Sequence, residues 1–267
     1  MVANPYRCSK ALLASVVTLL LTASTVRAQA VGPYLYTVST RQVAKGQMWM
    51  SLDTGYGVRA MRPFGEEGVE QRAGIVYGIS KRLSLAAFAG AWLNDQSAMR
   101  LGSVQAELMA DLSDPRLPFE LSAGVGYLRE YLGTNVLLMR FAAGRRWTRL
   151  AMHGNAVIEK PFAANRDAVD VITSVGASFR VHHRARVGLE AIGEDLEGLF
   201  EAEEAEGGAK LMVGPVVQLA LSDQARFRVG GGPIFYLSRS QNVSAAPRFL
   251  PPGDSGYAVR ASLAYGF

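Results

Sequence analysis

Gly256-Tyr257-Ala258-Val259-Arg260-Ala261-Ser262-Leu263-Ala264-Tyr265-Gly266-Phe267 are the last residues of the chain. Tyr257, Val259, Ala261, Leu263, Tyr265 and Phe267 occupy alternate positions, with Arg260 and Ser262 between them. A period of two places those sets on opposite faces of a β-strand. One face is apolar and ends in aromatic rings, and the other is small, polar or charged. Such a strand needs two different environments, one on each side of its sheet.

Working back from this stretch, the same pattern recurs. Segments of alternating polarity run over 47–58, 69–80, 83–93, 101–112, 118–129, 136–147, 150–159, 169–180, 185–194, 209–221, 225–237 and 256–267. In the first, Met48, Met50, Leu52, Tyr56 and Val58 share a face opposed to Gln47, Trp49, Ser51, Asp53 and Gly55. Alternation is weakest over Ala86–Ala91 and at Val136-Leu137-Leu138. Twelve strands are expected, with ten or fourteen as alternatives. Connections after the even-numbered segments are short, among them Lys81-Arg82 and Thr148-Arg149. Those after odd-numbered segments are longer, such as Arg59 to Gly68, Asp195 to Gly208 and Ser238 to Ser255. Alternating lengths imply an antiparallel, up-and-down barrel with one tight rim and one elaborated rim, the form of transmembrane barrels. An even count also brings the last strand back to the rim where the first begins.

Alternation does not say which face lies outside. Twelve strands enclose more space than modest apolar side chains fill. One face carries Arg72, Gln105, Glu107, Glu120, Arg140, His153, Asn155, Asp170, Arg186, Glu190, Lys210, Gln218, Arg228 and Arg260, interleaved with glycines. An Arg or Lys turned to mid-bilayer lipid costs roughly 2–4 kcal/mol, so this face is expected to point inward. Trp147, Phe119, Phe179, Phe227 and Phe267 fall near the tight rim of the other face, and Tyr56, Tyr127, Phe235 and Tyr257 near the elaborated rim. Two aromatic girdles are expected at the two edges of a bilayer. Pro215 and Pro233 lie on the apolar face and each removes a ladder donor, which marks irregular pairing there.

The first 30 residues do not fit the pattern. Arg7 and Lys10 precede an apolar run from Ala11 to Leu21, and Ala28-Gln29-Ala30 is a small-x-small site. This is the order of a secretory signal peptide, cleaved near Ala28 or Ala30. Residues 31–46 then form a lead-in, periplasmic or inserted in the lumen, before a barrel domain over 47–267. Cys8, the sole cysteine, precedes the apolar run and is removed with it, so disulfides and Cys-ligated metals are excluded from the mature chain. Losing Arg7, Lys10 and Arg27 lowers the net charge from +5 to +2, so the high pI is weak evidence for nucleic-acid binding and no nucleic-acid partner is expected. No mature segment approaches 18 consecutive apolar residues, so a helical membrane protein is excluded.

The terminal strand resembles the C-terminal signal of bacterial outer-membrane proteins, an amphipathic strand ending in an aromatic residue. Tyr257, Val259, Leu263, Tyr265 and Phe267 carry the likeness. It implies recognition by the barrel assembly machinery and residence in the outer membrane, with lipid and lipopolysaccharide around the barrel. Residues 185–237, through Leu189-Glu190-Ala191, Gly214-Pro215 and Gly231-Gly232-Pro233, are similar to porin-like barrels of phenol-degradation pathways, the MetA type.

The expected function is a passive channel or porin-like transporter of small solutes, lined by Arg72, Glu107, Glu120, Arg140, His153, Asp170, Arg186, Glu190, Lys210, Arg228 and Arg260. The same charges can instead pair across strands and stiffen or plug the barrel. Their mixed sign argues against strong ion preference. A non-conducting barrel that anchors an envelope complex is the alternative. A lipid-modifying enzyme using His153, Asn155 and a lumenal serine (Ser122, Ser174 or Ser178) is a third reading, with no convergence of those groups evident in the sequence. Asp195 to Glu206 is acidic with no basic residue, which fits a solvated loop better than a divalent-cation site. The tight rim is basic, from Lys81 and Arg82 to Arg226, and suits anionic headgroups or simple solubility equally. No cofactor or metal is expected, and oligomeric state is open.

Overall fold

The computed structural model describes residues 32–93, 100–163, 169–196, 209–237 and 255–267. The expected signal peptide and most of the acidic 195–206 loop lie outside the described residues. Twelve strands are present among them: β1 (Met48–Val58), β2 (Gly68–Gly78), β3 (Leu83–Leu93), β4 (Arg100–Asp111), β5 (Glu120–Arg129), β6 (Asn135–Arg146), β7 (Leu150–Pro161), β8 (Asp170–His182), β9 (Ala185–Glu194), β10 (Lys210–Ala220), β11 (Ala225–Tyr236) and β12 (Ser255–Gly266). Each pairs antiparallel with its sequence neighbour, and β12 returns to pair with β1, closing the sheet. At the seam the Phe267 N–H donates to the Met48 carbonyl oxygen at 2.8 Å. The barrel is thus the twelve-stranded meander that alternation and loop lengths imply.

Strands of 10–13 residues match the length a tilted strand needs to cross a hydrocarbon core. The outer face is apolar along its whole height. Leu52 is 53% exposed, Val125 and Val175 54%, and Leu189 60%. A continuous apolar belt of this size is not sustained in water, whereas lipid solvates it and closure leaves no open sheet edge. Tyr56, Tyr127, Phe235 and Tyr257 point outward at one edge, and Phe119, Trp147 and Phe179 at the other. The protein is therefore a membrane-spanning β-barrel.

Two local irregularities sit where alternation was weak. In β3, Phe88 faces inward, against the side chain of Arg72, and the β3–β4 register shifts at Gly90/Ala91. An inward aromatic replaces the expected polar residue there and blurs the period. At the start of β6, Val136 and Leu138 are both buried and inward-facing while Leu137 is exposed. The three residues look uniformly apolar in sequence because both sides of the sheet are apolar at that level. At Pro215 and Pro233 the β10–β11 ladder is interrupted without a change of register, since Met212 pairs Ile234 and Val216 pairs Gly230.

The lumen is filled from both rims. Residues 32–46 turn inward from the tight rim, with Tyr34, Thr37, Thr40 and Val43 all buried. The lead-in is thus lumenal. From the other rim, the β1–β2 loop folds into the barrel. Its Ala60 and Phe64 pack against inward-facing Leu128, Val136, Leu138, Val157, Ile172, Ile192, Met212, Ile234 and Ala258. The inner wall is therefore not polar throughout, as alternation suggested. Near the elaborated rim it is an apolar collar, because it packs against a loop rather than water.

Candidate functional site: the lumen and its two inserts

Every charged residue that the alternation placed on the inner face of a strand does point inward. Most meet a partner there. Glu107 and Arg140 pair at 2.5 Å although β5 lies between them. Gly126, opposite Glu107 in β5, makes that reach possible: a Cβ there would stand 3.2 Å from the Glu107 side chain. Arg260 and Glu70 meet at 2.8 Å across β1, where both register with Gly55. Glu120 holds Arg146 at 2.8 Å and Arg41 of the lead-in at 2.9 Å. Lys210 pairs with Glu194. Arg186 bonds Ser178 Oγ at 3.2 Å and the Arg149 carbonyl at 3.3 Å. Asp170 is buried at the elaborated end of β8. In the two of these ion pairs that cross an intervening strand, a glycine of that strand, Gly126 or Gly55, lies beneath the bridge.

Three predicted lumen residues hold the lead-in, Arg228 while also bonding a strand neighbour. Glu190 accepts the backbone N–H groups of Leu35 at 3.2 Å, Tyr36 at 2.9 Å and Thr37 at 2.5 Å. Arg228 donates to the Tyr34 carbonyl at 2.7 Å and to Ser262 Oγ at 2.7 Å. His153 stacks its ring edge-on against Tyr34, with centroids 5.5 Å apart. Asn155 adds a two-point contact: its Oδ1 accepts the Val38 N–H at 2.6 Å and its Nδ2 donates to the Val38 carbonyl at 3.1 Å. The Tyr34 hydroxyl donates to the Ala151 carbonyl at 2.7 Å.

Sequence reasoning passed over several members of the site. Glu70 shares the inner parity of Arg72, and Glu159 that of His153 and Asn155, so parity alone was enough to find both. Arg62, in the β1–β2 loop, pairs with Glu130 at 2.5 Å and Glu159 at 2.7 Å. Burial works against its charge, but Glu159 and Glu130 outweigh that and hold the guanidinium above its ordinary pKa. Tyr36 sits under Arg260, 4.8 Å from ring centroid to guanidinium, and burial raises its phenol. Loop–barrel and lead-in–barrel pairs have no period to betray them.

Between lead-in and loop lies a cavity of about 330 Å3. Tyr36 and Val38 line it from one insert, Arg62 and Glu66 from the other. Its wall is Asp53, Glu70, Arg72, Gln105, Glu107 and Arg140. The hydrolytic set is not assembled. Both amide atoms of Asn155 are taken by Val38, and neither ring nitrogen of His153 has a hydrogen-bond partner among the described residues.

Closed antiparallel topology, an apolar exterior and a charged, insert-filled interior define a twelve-stranded transmembrane β-barrel. Solved structures share that fold. The NanC porin aligns over 81% of this chain and 98% of its own, at 9% identity and a TM-score of 0.57. The KdgM porin in complex with disordered oligogalacturonate aligns over 82% and 99%, at 9% identity and 0.55. No protein-family model matches the sequence, and no curated protein does. At such identities the likeness is one of fold.

Proposed function

We propose that the chain is a porin-like passive channel for small solutes in the bacterial outer membrane. One observation carries the reading: a cavity of about 330 Å3, lined in part by Asp53, Glu70, Arg72, Glu107, Arg140 and Arg260, lies inside a barrel whose outer wall is apolar. Arg72, Glu107, Glu120, Arg140, His153, Asp170, Arg186, Glu190, Lys210, Arg228 and Arg260 line the path or hold what blocks it. Acids and bases alternate and pair around the wall, which supports weak ion preference. Membership of a fold shared with NanC and KdgM porins supports the same class. Tyr257, Val259, Leu263 and Tyr265 face outward in β12, where the assembly machinery can read them together with Phe267 during biogenesis. Lipid and lipopolysaccharide are the surrounding partners.

Planar-bilayer recording of the refolded barrel tests this, with heat-modifiable gel mobility as the check of folding. Discrete conductance steps are expected. A folded barrel that never conducts, with or without its lumenal inserts, rejects the channel. The filled lumen gives one specific reason to keep the non-conducting structural barrel as second reading, and the same recording separates the two.

A further inference from the structure

The lead-in occupies the lumen in an unusual manner. Its described residues form no ladder with any strand, yet wall side chains take backbone groups of Tyr34, Leu35, Tyr36, Thr37 and Val38. Glu190 collects three consecutive N–H groups. Asn155 pairs with the N–H and carbonyl of Val38 as a neighbouring strand would. Arg228 takes the Tyr34 carbonyl. Glu120 takes the Thr40 hydroxyl at 2.8 Å. The wall is also cut to fit: a Cβ on Gly176 would stand 2.5 Å from the Tyr34 ring, and one on Gly78 would stand 2.1 Å from the Ala44 carbonyl.

We propose that this row of wall residues is a binding site for a bent peptide segment, whose resident ligand, residues 33–42 of the same chain, gates the channel. The inference rests on the channel reading and adds regulation to it. The attachments are polar contacts to ionised or amide groups, which water replaces on release. The connection to β1 is built as a pivot. Gly46 adopts φ +79°, its N–H donates to the Gly78 carbonyl at 2.8 Å, and the Gln47 N–H donates to the Ala44 carbonyl at 3.0 Å. Val43 and Trp49 pack together at the same rim. Residues upstream of this anchor can leave by the tight rim while β1 stays paired.

The test uses planar-bilayer conductance of three proteins. They are the full chain, a variant lacking residues 33–45, and a Tyr34→Cys/Gly176→Cys pair. The mature chain has no other thiol by the expected cleavage. Tyr34 Cγ lies 2.9 Å from where the Gly176 Cβ would stand, so the two Cβ atoms fall within disulfide reach. The full chain should open intermittently and the deletion variant should stay open. A synthetic peptide of residues 33–45, added on the tight-rim side, should block the deletion variant. It should need about ten-fold more peptide when Glu190→Ala is also present, since hydrogen bonds to a charged acceptor are lost. Oxidation should silence the cysteine pair and reduction should restore its openings.

Equal conductance of the full chain, the deletion variant and the oxidised pair overturns the gate and leaves the channel reading standing. A full chain that never opens, beside a deletion variant that conducts, makes the segment a fixed plug and also overturns the gate. A folded deletion variant that never conducts overturns the gate, and one that also lacks the β1–β2 loop insert and still never conducts overturns the channel. If the deletion variant does not fold, the cysteine pair decides: conductance indifferent to its redox state overturns the proposal.

Discussion

The Tyr36 hydroxyl donates to the Phe64 carbonyl oxygen at 2.9 Å. This bond joins the two inserts, one entering from each rim, across the middle of the barrel. Phe64 is in turn buried in the apolar collar. The lead-in and the β1–β2 loop therefore form one mechanically linked obstruction.

Replacing Tyr36 by Phe keeps the ring over which Arg260 stacks and deletes only that bond. The expected loss is about 1 kcal/mol, the usual net worth of one buried hydrogen bond. Urea unfolding followed by heat-modifiable mobility measures it. An unchanged midpoint would show that the inserts are held independently.

Gly176→Ala places a methyl 2.5 Å from the Tyr34 ring, which forces that ring off the wall and away from Ala151. Gly154→Ala is the control, because the nearest atom to its Cβ would be 3.6 Å away. The first variant should raise channel open time and expose residues near Tyr34 to protease from the tight-rim side. The second should match the parent in both assays.

Neutralising one member of the Glu107–Arg140 pair leaves the other charge facing the cavity. Glu107→Gln should move the reversal potential in a salt gradient towards anion preference, and Arg140→Gln towards cation preference. Opposite shifts from the two variants are the expected signature. Shifts of the same sign would mean that neither side chain faces the permeating ions.

Val175 lies mid-strand on the outer face and is 54% exposed. Val175→Arg should destabilise the barrel by roughly 2–4 kcal/mol in a bilayer, because its guanidinium then faces hydrocarbon. Refolding yield into lipid vesicles reports this. Equal yields for the variant and the parent would place lipid elsewhere than on this face.

Much of the barrel was legible before any tertiary contact was known. Arg140, Glu190 and Arg260 were assigned to the inner face by parity alone, and each points inward. Parity failed at Val136, Leu138 and Phe88, where the inner side is not polar. There the residue's environment is set by an insert or by a neighbouring Arg, and neither appears in the strand's own pattern. Trp49 is a milder case: its parity was right, but its burial with Val43 depends on the lead-in turning back into the lumen.

The amino-acid sequence by itself determined the strands, their faces, their meander order and the closure of β12 on β1. These follow from side-chain alternation and turn residues, which act between neighbours in the chain, and from hydrogen-bond closure, which an even strand count permits. Only the tertiary structure decided what fills the barrel. Val38 meets Asn155 across 117 residues of sequence, Tyr36 meets Glu190 across 154, and Arg62 meets Glu159 across 97. Contacts of that range have no periodicity, because they depend on where the closed wall brings side chains together around a common axis. The wall was thus written locally, whereas its obstruction, and with it the gate, exists only once the wall has closed.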